Sequence, residues 1–157
     1  MEKLWADRVK RVRTVAGGVL VGTVTAVTLA GCSLGKHEQV KIEGGAVTIP
    51  LAKLAEGKAK FYKTTYNGKD IVFFTVKTSE GTYRTAFDAC DSCYKDRKGY
   101  EQQGEAMNCT NCNQKFAIDR LGPNATGGCN PGYLPNTTTT DSVTISGSDV
   151  IAGARYF

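Results

Sequence analysis

Five cysteines stand at spacings that suit metal binding. Cys90 and Cys93 form one C-x2-C pair, Cys109 and Cys112 form a second pair fifteen residues on, and Cys129 follows after sixteen more. Two residues between cysteines let a tight turn aim both sulfurs at one point, and a second pair can complete a tetrahedron. The interval between the pairs falls inside the window of four-thiolate sites. The spacing therefore predicts that Cys90, Cys93, Cys109 and Cys112 bind one metal centre. Cys129 is left without a partner. Gly127-Gly128 before it and Pro131 after it describe a tight loop, where glycine permits close backbone approach. We expect the Cys129 sulfur about 8 Å or less from a knuckle sulfur, packed against the ligands. Its plainer role is that of a small buried apolar residue.

Three chemistries compete for this pattern: a redox iron–sulfur centre, a closed structural zinc clasp, and thiol–disulfide exchange. Asp88 and Asp91 weigh against reactive thiols at the first pair, because nearby carboxylates raise a thiol pKa. The odd number of cysteines after Cys32 weighs against full disulfide pairing. Lys95, Arg97, Lys98, Lys115 and Arg120 flank the knuckles and could offset the charge of four thiolates. No C-x-x-C-H occurs, so covalent c-type haem is excluded. The only histidine, His37, lies far from the cysteines in sequence, so no nucleophile–base pair is visible and hydrolysis is disfavoured.

Short strands must position these loops. Val47 and Ile49 alternate with polar neighbours, and Lys60–Tyr66 alternates up to Asn67-Gly68, a strong signal for a two-residue hairpin. Ile71–Val76 and Thr82–Phe87 complete a meander that delivers the chain to Cys90. Tyr94–Gly99 reads as a loop, Tyr100–Asn108 as a strand broken at Gly104, and Phe116–Ile118 as a short strand. Gly122–Gly128 and the four threonines at 137–140 read as loops, Val143–Ser146 as a strand, and Ser148 as the cap of one helical turn. The expected fold is mainly β: a small antiparallel domain with a two-knuckle metal clasp at one end, preceded by an N-terminal signal or anchor helix.

Charge divides the chain. Residues 1–31 carry five basic and two acidic side chains, and the remaining 15 basic against 13 acidic leave the body nearly balanced. That balance excludes nucleic acid as a partner. The basic start precedes 22 uncharged residues, Thr14–Gly35, most apolar over Val15–Leu29, the pattern of an export signal. Leu29-Ala30-Gly31-Cys32 resembles the bacterial lipobox, which implies cleavage before Cys32 and lipidation of its sulfur. A retained membrane span is the alternative. Both place the body outside the cytoplasm, held at the membrane. The organisation expected is a signal or anchor over 1–31, a flexible tether over 32–45 with His37 solvated in it, and a cysteine-rich domain over 46–157.

Several pieces closely resemble the FtrD-like membrane iron–sulfur family: Ala-Phe-Asp-Ala-Cys90-Asp-Ser-Cys93-Tyr, Lys98-Gly99-Tyr100, Met107-Asn-Cys109-Thr-Asn-Cys112, Gly127-Gly-Cys129-Asn-Pro131 and the terminal Ala154-Arg-Tyr-Phe157. Asn113 departs from the glycine usual in that family, and a lipoprotein signal replaces a multi-span membrane part. The resemblance implies an iron–sulfur cofactor and an iron-uptake permease, or another membrane redox protein, as partner. The order of strands and two-ligand loops is also similar to Rieske domains, which use two cysteines and two histidines where this chain has four cysteines. Together these imply a non-enzymatic electron-transfer accessory; on spacing and unfolded export alone, structural zinc leads.

Overall fold

The computed structural model describes residues 35–157. Its central sheet has the order β1 (His37–Gln39), β3 (Lys60–Tyr66), β4 (Lys69–Lys77), β5 (Tyr83–Phe87). β1 runs parallel to β3, and the other neighbours are antiparallel. At the β3–β4 turn Asn67 and Gly68 both take positive φ, 48° and 75°, as the mirror-image hairpin turn requires. That turn fixes the register Phe61 to Phe74 and Tyr62 to Phe73. Ring centroids in these two pairs lie 5.5 and 5.7 Å apart, contacts that stabilise by about 0.5–1.5 kcal/mol each beyond simple burial.

The sheet is covered on both faces, which explains why Ile71–Val76 is almost wholly apolar. Successive side chains of a strand point to opposite faces. Ile71 and Phe73 accordingly join one core with Val47, Ile49, Leu134, Val143 and Ile145. Phe74 and Val76 join a second with Tyr100, Met107, Ile118 and the buried Cys90 and Cys109. The first core is roofed by a sheet ordered β2 (Ala46–Pro50), β10 (Ser142–Ser146), β9 (Thr137–Thr138), and by helix α1 (Gly147–Ala152). The second is roofed by the antiparallel sheet β6 (Tyr100–Gln103), β7 (Ala106–Cys109), β8 (Lys115–Ala117). Two cysteines are thus core residues as well as site residues.

Several expectations are corrected. The stretch expected to be a flexible tether up to residue 45 contains β1, and Glu43 pairs with Ala46. The backbone groups of 37–40 complete the open edge of β3, which gives this polar segment a reason to be ordered. Gly104 does not merely break a strand; with φ 61° it turns β6 back into β7 as a hairpin. Thr137 and Thr138 form an edge strand on β10. Ser146, not Ser148, occupies the N-cap of α1, and their hydroxyls lie 2.7 Å apart. The expected signal or anchor over 1–31 and the lipidation site Cys32 lie outside the described residues. Among the described residues no helix is long and apolar enough to cross a membrane.

Candidate metal centre

Each cysteine pair sits where a strand of the second core ends. β5 closes at Phe87 and the chain turns through Asp88-Ala89 into Cys90, whose sulfur accepts the Cys93 N–H at 3.2 Å. Tyr94 N–H donates to the Cys90 carbonyl and starts a 3-10 turn over Tyr94–Asp96. β7 ends at Cys109, and Asn113 N–H closes the second knuckle on the Cys109 carbonyl at 2.8 Å. Asn113 has φ 60°. Asparagine is among the side-chain-bearing residues that most readily take this left-handed conformation, so it can make the turn that closes the knuckle. Backbone N–H groups of Cys112 and Asn111 donate to the Cys109 sulfur, and that of Gln114 to the Cys112 sulfur.

The third segment lies against both. Gly127 and Gly128 take φ 81° and 57°, and the Gly128 carbonyl accepts Ser92 N–H at 3.1 Å. Tyr100 O–H donates to the Cys129 carbonyl at 2.6 Å, and Gly132 N–H donates to the Ala89 carbonyl. The Cys129 sulfur stands 3.6 Å from that of Cys93, well inside the 8 Å expected from sequence. The sulfurs of Cys90, Cys93 and Cys129 all lie within 4.8 Å of one another, and so do those of Cys93, Cys109 and Cys112. Cys93 belongs to both groups.

The environments differ. Burial pushes the Cys109 thiol up to about 11, against the pull of its backbone donors. The exposed Cys112 falls to about 7, chiefly because Gln114 N–H stabilises its thiolate, with the Cys129 thiol as a further donor. Cys129 is pushed up to about 12 because its proton is held by Cys112, with burial adding to the effect. Tyr100 is raised by burial first and by the neighbouring Cys90 second, so it remains a neutral donor.

The two aspartates expected to burden the first knuckle are answered by cations that sequence reasoning missed. Asp88 is buried and accepts Lys36 Nζ at 2.9 Å and Tyr100 N–H at 2.6 Å, with His37 Nε2 at 3.3 Å. Asp91 accepts Tyr156 O–H at 3.0 Å, and Arg155 stands 4.0 Å away. His37 is therefore no solvated tether residue, because β1 carries it to Asp88. The only advance sign of the Arg155–Tyr156 contact was the terminal Ala-Arg-Tyr-Phe. Arg97 and Lys98 line a cavity of about 580 Å3 shared with Cys90, Cys93 and Cys109. Lys115 and Arg120 line a smaller one with Asn130.

This geometry fits a metal. N–H groups aimed at sulfur favour the thiolate form that binds metal. With metal–sulfur bonds of about 2.3 Å a tetrahedral site has sulfur–sulfur edges of about 3.8 Å, close to the separation of Cys93 and Cys129. A layered β domain with five converging thiols defines a protein equipped to hold metal through cysteine sulfur. The chain belongs to the FtrD-like family of membrane iron-sulfur containing proteins, whose model matches residues 54–157. No curated protein and no solved structure matches it.

Proposed function

We propose that the chain is a membrane-tethered extracytoplasmic electron-transfer accessory of an iron-uptake system. In this reading Cys90, Cys93, Cys109 and Cys112 hold an iron–sulfur cluster, and lipid on Cys32 attaches the domain to the membrane. An iron-uptake permease or another membrane redox protein is the partner. The observation that carries the reading is the convergence of the cysteine sulfurs under backbone N–H donors, in a chain of an iron–sulfur family. A bound cluster would supply one-electron chemistry. The protein's own part is to fix the thiolates, hold Cys90 and Cys109 in the dry second core, and leave Cys112 exposed. A Rieske-like arrangement of ligand loops belongs to this reading, supported by the two knuckles at the ends of β5 and β7 and the Cys129 loop packed against them.

Structural zinc is the second reading, favoured by one observation: the sulfurs of Cys93, Cys109 and Cys112 lie within 4.8 Å of one another, as ligands of a single tetrahedral ion do. Metal and sulfide analysis of the full chain, purified without air or chelators, separates the two. Iron with acid-labile sulfide and visible absorption is expected, and Cys109→Ser should abolish both. A colourless protein with stoichiometric zinc would replace the redox reading, and full metal occupancy in Cys109→Ser would refute the ligand set.

A further inference from the structure

The cations of the domain fall into two groups. Lys36, Lys53, Lys60, Lys63 and Lys77 each form an ion pair with a carboxylate. Lys95, Arg97, Lys98, Lys115 and Arg120 are exposed, flank the cysteine knuckles, and form no ion pair among the described residues. They do not serve the sulfurs either, whose nitrogen donors are backbone N–H groups. The carboxylates of the same loops are engaged. Asp96 accepts Asn111 Nδ2 at 2.8 Å, and Asp91 accepts Tyr156 O–H with Arg155 beside it. Asp119 lines a separate cavity with Glu56 and Glu105.

The unpaired cations lie on both sides of Cys112, the one exposed cysteine of the five. On one side the Lys98 carbonyl accepts the Thr110 hydroxyl, the Gly99 carbonyl accepts Thr110 N–H, and Asp96 holds Asn111. The loop carrying Arg97 and Lys98 is thus laced to the second knuckle. On the other side Lys115 lines a cleft with Arg120 and with Asn130, the neighbour of Cys129. Between them stand Cys112 and the uncharged Asn111, Asn113 and Gln114. Charge at a rim around a neutral centre suits a transient protein interface, where the rim steers the encounter and sets its salt dependence. A lipid headgroup would have no use for a metal-binding cysteine left bare in the middle of the face, whereas a redox partner would.

We infer that this end of the domain is a docking face for a redox protein that presents carboxylates around its own accepting group. Arg97 and Lys98 meet them on one side of Cys112, and Lys115 and Arg120 on the other. The inference rests on the electron-transfer reading proposed above, and adds to it the charge of the partner and the edge at which it sits. None of the four cations is a metal ligand, so the rim can be altered with the metal retained.

The test uses the full chain as purified without air, in neutral detergent, with a fluorescent decaglutamate peptide as the first probe. The peptide should bind in a salt-sensitive way, and a carbodiimide should join its carboxylates to Lys98 and Lys115, mapped by mass spectrometry. The second probe is a redox pair, anionic ferricyanide and cationic tris(phenanthroline)cobalt(III), mixed with the reduced chain in stopped flow. Arg97→Glu with Lys98→Glu, and Lys115→Glu with Arg120→Glu, should each weaken peptide binding about tenfold or more. Both should slow ferricyanide and quicken the cobalt complex, with metal content and circular dichroism unchanged. Lys41→Glu with Lys58→Glu, which line neither cleft, should change none of these. Cross-links at Lys41 or Lys58 in place of Lys98 and Lys115, or rates equal in the wild type and both rim variants, overturn the inference. Displacement of the peptide by phosphatidylglycerol doped into the micelles at an equal concentration of charge overturns it in favour of a lipid surface. A protein without iron ends the proposed function and this inference with it, whereas an iron–sulfur protein whose oxidation ignores the rim ends the inference alone.

Discussion

Replacing Asp88 by alanine isolates a buried clamp that joins β1 to the metal-binding loops. Its carboxylate accepts the Tyr100 N–H, in a residue 1% exposed, together with Lys36 Nζ. Alanine leaves that backbone donor without a partner or water, which costs about 1–3 kcal/mol. The Lys36 side chain is 40% exposed and can return to solvent, so its share is no more than about 1 kcal/mol. The sum is about 3 kcal/mol, or a fall in Tm of about 10 °C for a domain of this size. The measurement is thermal and urea unfolding of metal-free, reduced protein, so that altered metal binding does not enter. Asp88→Asn, which keeps an acceptor oxygen, should lose only about one third as much by the same reckoning. An Asp88→Ala protein within about 0.5 kcal/mol of the wild type, the ordinary scatter of surface changes, would show that the clamp contributes nothing.

Gly99→Ala should be at least as damaging as Asp88→Ala. A Cβ there would stand 2.6 Å from Asp88 Oδ1 at φ +67°, so the same unfolding assay should show a loss of about 2 kcal/mol or more; a stability equal to the wild type would contradict the close approach. In the metal-free protein Cys112, lowered to about 7, should be the first of the five domain cysteines to alkylate. Its rate should fall as pH drops through 7, because the thiolate is the nucleophile. Cys109 and Cys129, pushed up to about 11 and about 12, should react only in alkali. Peptide mapping by mass spectrometry across pH decides this, and a Cys112 profile centred near the ordinary thiol value of about 8.5 would refute the role of the Gln114 N–H.

What was legible in the sequence was local. Asn67-Gly68 announced its hairpin because few residue pairs tolerate two positive φ values in succession. The C-x2-C spacing announced the knuckles because a tight turn of that length can aim both sulfurs at one point. What was hidden depends on partners far away in the chain. β1 is three polar residues, His37–Gln39, with no apolar alternation, and only the free edge of β3 makes them a strand. The Lys36–Asp88 contact spans 52 residues, and nothing in a lone aspartate two places before Cys90 tells that it is buried. The sharing of Cys93 between two triads arises from how the loops fold over one another, which no spacing rule encodes.

The parallel pairing of β1 with β3 also sets a leash. Five peptide steps separate Cys32 from His37, and a fully extended chain spans no more than about 3.6 Å per residue, or about 18 Å here. A tether running free to Ala46 would have reached about 50 Å by the same measure. If Cys32 carries the lipid of the proposed function, the edge of the central sheet would be kept near the headgroup layer. On the proposed function, a redox partner would have to bring its accepting group down to that level, so the proposal favours partners lying in or close against the same bilayer.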